Sequence, residues 1–211
     1  MKLYGYWRST SSYRLRIALA LKGLAVETVP VHLLRDGGEQ RRAAYRAINP
    51  QGRVPSLVLN GGQVLIQSPA IIEYLEETVP APPLLPADPV ARARVRAVAA
   101  LIGCDIHPLH NIGPLSLLRQ DFGRSEAEVA AWIARWIGDG FAAVEALIDG
   151  ETYCFGAEPG LADVYLVPQV YAARRFGVPL EPYPKIRRVA VRAEAHPAFR
   201  AAHPDAQPDA A

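Results

Sequence analysis

Cysteine is almost missing from this chain. Cys104 and Cys154 are its only two, too few for a disulfide framework and without the spacing of a metal site, which fits a reducing compartment. Neither sits in a context that marks a nucleophile. Charge of one sign is missing as well: 23 Lys and Arg stand against 21 Asp and Glu, dispersed along the chain, so nothing in the electrostatics draws it to nucleic acid or to an acidic membrane. No apolar run approaches the length that spans a bilayer, and the amino terminus lacks the apolar stretch of a signal peptide. A soluble cytoplasmic protein without a metal is the expectation. What the chain has in quantity is apolar surface, half of its 211 residues, enough for a substantial core in one large domain or two small ones.

The stretch Trp7-Arg8-Ser9-Thr10-Ser11-Ser12-Tyr13-Arg14-Leu15-Arg16-Ile17-Ala18-Leu19 organises the rest. Residues 2–7 are short and rich in aromatics, the end of a strand; after four hydroxyl residues a helical pattern begins, with Leu15, Ala18 and Leu19 on one face. Hydroxyls placed there stand beside unpaired backbone N–H groups at the positive end of a helix dipole, where an anion can rest. Ser and Thr are also the ordinary N-cap residues, and simple capping is the plainer account of them. The two roles are compatible. Arg8 at the mouth of the turn, with Arg14 and Arg16 beyond it, favours a ligand.

Further along, residues 26–31 are mostly alternating and β-branched, a second strand, and 40–48 read as a short helix stopped by Asn49-Pro50-Gln51-Gly52. Residues 53–59 and 64–66 flank Asn60-Gly61-Gly62 and make a hairpin, with Val54–Pro55 a candidate cis bond that turns the Val54 backbone outward. Ser68 is read as the N-cap, and Pro69 as the first position, of a helix running to 77. The order β-α-β-α-β-β-α implies a thioredoxin-like arrangement with a mixed four-stranded sheet.

Five prolines in residues 79–89 mark a linker. Beyond it the pattern is helical: one helix to about Cys104, an interruption over 105–114, a resumption over 115–121, a capped amphipathic helix from Ser125 to Leu147, an apolar helix from Leu161 to about Arg175 and another over 185–194. A Pro- and Ala-rich tail from His196 is expected to be mobile at its end. The expected fold class is α/β followed by all-α, with a thioredoxin-like domain over 1–80, a linker over 81–89 and an all-helical domain over 90–211.

Over nearly its whole length the chain resembles the zeta class of glutathione transferases. The hydroxyl-rich run into Arg14-Leu15-Arg16-Ile17-Ala18-Leu19 is similar to the class signature. Asn49-Pro50, Val54-Pro55 and Gln67-Ser68-Pro69-Ala70-Ile71-Ile72-Glu73-Tyr74-Leu75 are similar to its glutathione site, and Leu161-Ala162-Asp163, Leu166-Val167-Pro168-Gln169-Val170 and Arg175-Phe176 to its helical domain. The resemblance implies the glutathione transferase fold, glutathione as cofactor and a homodimer. It further implies that Ser9 places its hydroxyl on the glutathione sulfur with Ser11 beside it, and that Gln40 meets the glycine carboxylate. By the same carry-over the Val54 backbone pairs with the cysteinyl part, while Gln67 and Ser68 hold the γ-glutamyl end. Asp105, His107 and Asn111 match positions lining the site, in the same or the partner subunit; Asp105 as a helix cap and His107 as a helix end before Pro108 are competing readings. Two departures stand out. Ser11 replaces a cysteine found in many class members, which removes any mechanism needing a thiol there, and Gly160 replaces the Ser or Thr that usually precedes Asp163, a tolerated cap.

The activity implied is glutathione-dependent cis–trans isomerisation of a dicarboxylate dioxo substrate, maleylacetoacetate to fumarylacetoacetate, in aromatic catabolism of the tyrosine-degradation type. A thiolate adds to the cis double bond, the resulting single bond rotates, and elimination returns the thiol. A thiol of pKa about 8.5 is only a few per cent ionised at neutral pH without help, which Ser9 and Arg8 would give. Arg8 and Arg175 are the candidates for the substrate's negative charge, because a guanidinium binds carboxylate or enolate through paired donors. Arg175 beside Arg174 also reads as a solvated helix end. Maleylpyruvate isomerases can carry an arginine pair after the residue matching Asn111, where this chain has Ile112 and Gly113; that favours maleylacetoacetate, unless Arg119 substitutes. Maleylpyruvate isomerisation, a conjugating transferase and a non-enzymatic binding protein are the alternatives.

Overall fold

A computed structural model describes residues 1–210, which form two compact units: Met1–Pro83 together with the segment from His196 onward, and Leu84–Ala195. In the first unit β1 (Lys2–Gly5) runs parallel to β2 (Glu27–Pro30) and antiparallel to β3 (Ser56–Val58), which is antiparallel to β4 (Val64–Ile66), giving a mixed sheet of order β2-β1-β3-β4. A parallel pair needs a crossover, and α1 (Thr10–Leu21) supplies it. Leu3 and Leu57 face each other across the β1–β3 register, both buried. With Leu15, Ile17, Ile71, Ile72 and Leu75 they form the core, each worth about 1.5–3 kcal/mol of burial.

Sequence and structure part in two places here. The helix expected over 40–48 splits, because Arg42 takes an extended conformation (ψ 146°) between a 3-10 turn at Glu39–Arg41 and a single turn, α2 (Ala43–Arg46). α1 buries Leu15, Ala18 and Leu19, and most of its other residues too, since it packs against both α3 (Ser68–Thr78) and the carboxyl-terminal segment. Ser68 is not the N-cap of α3: Gln67 holds that position at φ 67°, Ser68 is the first helical residue and Pro69 the second. The end of α1 is tied to α3 by Lys22, whose buried Nζ lies 2.5 Å from Glu76 Oε2 and 2.7 Å from the Pro82 carbonyl. The proline-rich run is thus anchored at its start. The Val54–Pro55 bond is cis, as expected from the sequence.

In the second unit Asp88 caps α4 (Pro89–Ala100), accepting from Ala91 N–H at 2.8 Å. Pro108 lacks an N–H and its ring crowds the carbonyl four residues earlier, and the chain before it loosens into a π-helical turn at Leu101–Ile106, followed by a 3-10 turn at His107–His110. α5 (Ile112–Gln120) follows. α6 (Glu126–Leu147) starts on a reciprocal capping box between Ser125 and Glu128. Gly140 lets α6 approach closely: a Cβ there would stand 2.3 Å from Ile106 Cδ1. α7 (Leu161–Arg175) is buried along most of its length and packs on α4 and α8 (Pro184–Ala195). Gly160 is its N-cap, and Asp163 completes the start from within, accepting from Gly160 N–H and Cys154 N–H at 2.8 Å each.

The tail from His196 is expected to be mobile at its end, and its last residue, Ala211, lies outside the described residues; what precedes it packs on the first unit. α9 (Pro197–Ala202), capped by His196, lies against α1, with Phe199 and Ala202 buried. Gln207 Nε2 then donates to the Ala201 and His203 carbonyls, folding the last described residues back onto the helix. Among the described residues no helix is long and apolar enough to cross a membrane.

Candidate active site

The turn between β1 and α1 is closed by a hydrogen bond from Ser9 N–H to the Tyr6 carbonyl at 3.0 Å. It sorts the four hydroxyls that the sequence leaves equivalent. Ser12 is fully buried and its Oγ accepts from Tyr6 N–H at 3.3 Å, and Thr10 is buried too, so Ser9 and Ser11 are the two that remain half-open. Ser9 takes the N-cap conformation and its Oγ accepts from Ser12 N–H at 3.3 Å. The plain capping role is therefore real. It uses a lone pair and leaves the hydroxyl proton to donate elsewhere, so a second partner of anionic character is compatible with it. Arg8 is half-buried beside Ser9, its guanidinium 5.4 Å from the centre of the Trp7 ring.

A second group converges on the start of α3. Arg14, almost wholly buried, donates from Nη1 to Ser68 Oγ at 3.1 Å. A guanidinium only donates, so the Ser68 oxygen accepts in that bond and its proton is available to another acceptor. Gln67 is one of two non-glycine residues with positive φ among those described, a strained conformation of the kind that collects at ligand sites; its Nε2 donates to Gln51 Oε1 at 2.6 Å. Tyr45 Oη and Asn49 Nδ2 both donate to the Arg53 carbonyl at 2.7 Å, which fixes the approach to Val54. Because the ladder with β1 begins at Ser56, the Val54 backbone lies outside it. Gln40 is buried, with Nε2 donating to the Leu33 carbonyl at 3.2 Å, while Oε1 has no hydrogen-bond partner.

The remaining candidates lie in the second unit. Asp105 is exposed in the π-helical turn and caps nothing, whereas Asn111 caps α5, accepting from Ile112 N–H at 2.8 Å. His107 opens the 3-10 turn, its ring edge-on to that of His110 at 5.5 Å. Arg175 ends α7 with its guanidinium 4.6 Å from the centre of the Phe176 ring, while its neighbour Arg174 is ion-paired with Glu194. Arg119 is paired with Glu126 through two bonds, at 2.6 and 2.9 Å, in an exposed ion pair.

Sequence reasoning passed over His110 and the partner it depends on. His110 is buried between Gln169, 3.1 Å from its Nε2, and the Phe176 ring, 5.5 Å away. Burial, more than the nearby positive charge of Arg175, pushes His110 below its ordinary pKa, against the pull of the Gln169 bond. The available signal was Gln169 itself: a glutamine within a helix apolar all round requires a buried partner. Asp163 is held up by burial despite its two backbone donors, and burial pushes the Cys154 thiol well up, so that this cysteine is inert.

Residues 3–83 match the family model described as glutathione S-transferase, N-terminal domain. The chain is 66% identical over 209 residues to the maleylacetoacetate isomerase of Pseudomonas aeruginosa, covering 99% of this chain and 98% of that protein. Among solved structures it is similar to the holo form of a maleylpyruvate isomerase described as a bacterial glutathione transferase in zeta class, with 55% identity, both chains fully covered and a TM-score of 0.96. It is also similar to a maleylacetoacetate isomerase of Anaeromyxobacter dehalogenans with glutathione bound in the active site, with 47% identity, a TM-score of 0.89 and coverage of 100% of this chain and 97% of that one. The hydroxyl-bearing turn, the strained start of α3 and these full-length likenesses agree, and the chain belongs to the zeta class of glutathione transferases, the family of the maleylacetoacetate and maleylpyruvate isomerases.

Proposed function

We propose that this protein is a glutathione-dependent isomerase that converts maleylacetoacetate to fumarylacetoacetate. The observation that carries the reading is the state of Ser9, whose oxygen is used by the helix cap while its proton is left to donate at a helix N-terminus. The residues of the first unit suit glutathione. Gln40 would meet the glycine carboxylate through its amide N–H groups, the start of α3 offers Ser68 and backbone N–H groups to a carboxylate, and the Val54 backbone is outside the sheet ladder. Glutathione held by Gln40, Val54, Gln67 and Ser68, with Asp105, His107 and Asn111 as further contacts, supplies the thiolate that adds to the cis double bond and leaves again.

The chain's own residues then do three things. Ser9 donates to the sulfur and favours its anionic form, each unit by which the thiol pKa falls being worth about 1.4 kcal/mol. Ser11, half-open on the same turn, is a second donor beside it. Arg8 and Arg175 bind the carboxylates and the negative charge that builds on a substrate carbonyl oxygen. The substrate choice rests on Ile112 and Gly113 following Asn111, and on the engagement of Arg119 by Glu126. A homodimer in the cytoplasm completes the proposal, supported by the class resemblance and by the scarcity of cysteine.

The test is the conversion of maleylacetoacetate, coupled to fumarylacetoacetate hydrolase, with sub-stoichiometric glutathione, for the intact protein and for Ser9→Ala and Arg175→Ala. Many turnovers per glutathione, strongly weakened in both variants, are expected. Turnover of maleylpyruvate alone would shift the substrate, stoichiometric consumption of glutathione would make the protein a conjugating transferase, and no turnover would make it a binder.

A further inference from the structure

The turn that presents Arg8 and Ser9 is not held by its own strand and helix alone. Its first inner residue, Trp7, has both backbone polar groups bound from elsewhere. Trp7 N–H donates to Asp209 Oδ2 at 3.0 Å, a contact spanning 202 positions of sequence, and the Trp7 carbonyl accepts from Arg16 Nη2 at 2.8 Å. Arg16 Nε donates in turn to the Ala202 carbonyl at 2.9 Å. Both bonds therefore lead to the carboxyl-terminal segment, which is fixed on α1 by α9, by the Tyr13–His203 ring contact at 5.8 Å and by the internal bonds of Gln207. The Arg8 guanidinium rests beside the Trp7 ring, so whatever orients Trp7 orients Arg8 as well.

We propose that the carboxyl-terminal segment is a strap on the catalytic turn, with Asp209 a positioning residue that acts on Ser9 and Arg8 through the Trp7 peptide. A charge-assisted bond to a single backbone N–H is stronger than a neutral one and fixes a peptide plane. Two residues further on, the hydroxyl proton of Ser9 must point within a narrow cone to reach a thiolate, and small misplacements of such donors lower rates steeply. Arg16 holds the next peptide, Trp7–Arg8, through its carbonyl, so the strap grips Trp7 from both of its peptides.

This inference rests on the proposed glutathione chemistry, and the experiment separates the two. In the glutathione-free protein, hydrogen exchange of the Trp7 amide reads the clamp directly: protection falls in Asp209→Ala and largely returns in Asp209→Asn, whose amide oxygen still accepts. In the glutathione complex the ultraviolet thiolate band is titrated, and the bound thiol pKa rises in Asp209→Ala, with kcat roughly tenfold lower and the KM for glutathione much less changed. Arg16→Met, which releases the Trp7 carbonyl and the Ala202 contact together, moves the same readouts in the same direction. Unchanged exchange at Trp7, or an unchanged thiol pKa and kcat with only a lower melting temperature, overturns the strap. Failure of the wild-type protein to bind glutathione would sink the parent reading and leave the exchange result to decide the strap by itself.

Discussion

Both units bury polar groups, but to opposite ends. In the second unit they are paired within the unit: Asp163 takes two backbone N–H groups, and His110 and Gln169 take each other. In the first unit Lys22 is paired in the same way, but three groups at the candidate site leave capacity over. Arg14 fixes the oxygen of Ser68 but not its proton, the cap fixes the oxygen of Ser9 but not its proton, and Gln40 keeps an unpartnered oxygen. A closed network stabilises a fold; an open one is a site waiting for the missing partners. Substitutions should therefore move stability in one unit and chemistry in the other.

The largest effect is expected at Asp163. Asp163→Ala leaves the N–H groups of Cys154 and Gly160 buried without an acceptor, each costing about 1–3 kcal/mol, so the denaturation midpoint drops sharply. Activity per folded molecule stays near that of the wild type. A variant that remained stable yet lost kcat would break the division between the units.

Ser9→Ala is the mirror case. Removing one preorganised donor from an anion costs about 10²-fold in rate, whereas the lost cap costs only about 1 kcal/mol of stability. Steady-state kinetics alongside thermal melts measure both; a loss of rate no greater than the loss of folded protein would reduce Ser9 to a cap. Next in size is Arg14→Met. By freeing the Ser68 hydroxyl to rotate, it should weaken glutathione binding by about tenfold. The double variant with Ser68→Ala should bind no worse than Ser68→Ala alone, because the two act through one proton. Calorimetric additivity of the two losses would show that Arg14 acts by another route.

The same contrast explains what could be read in the sequence. Signals carried by neighbours in the chain were legible: the Ser125–Glu128 capping box, the cap and the hydroxyl run at Ser9, the hairpin at Asn60-Gly61-Gly62, and the place of Gly160 at the start of α7. What failed was decided by partners far away. Ser68 looks like a cap on local rules, yet Arg14, 54 positions earlier, engages its hydroxyl and Gln67 takes the cap position at positive φ. The Pro- and Ala-rich composition of the tail gives no local sign of its partners, yet α9 packs on α1 and Asp209 accepts from Trp7 N–H. Composition records how much a segment is able to bury, not whether a complementary face exists to receive it.

The smallest effect sharpens the closed side of the comparison. His110 is held below the ordinary histidine pKa of 6.5, first by burial and last by the charge of Arg175, with the Gln169 bond opposing. A histidine with a depressed folded pKa binds its proton more readily in the unfolded chain. Stability is therefore flat above the unfolded pKa and is lost as pH falls from about 6.5 toward the lower folded value, with a slope of at most about 1.4 kcal/mol per pH unit for one group. The decisive quantity is the difference between the wild type and His110→Asn, which keeps a polar partner for Gln169 but does not titrate. Denaturation midpoints between pH 8 and 5 should converge as acid is added, the wild type losing the advantage it holds at high pH. Parallel curves would mean that His110 opens to water before it charges, and the His110–Gln169 pair would then belong with the open networks of the first unit rather than the closed ones of the second.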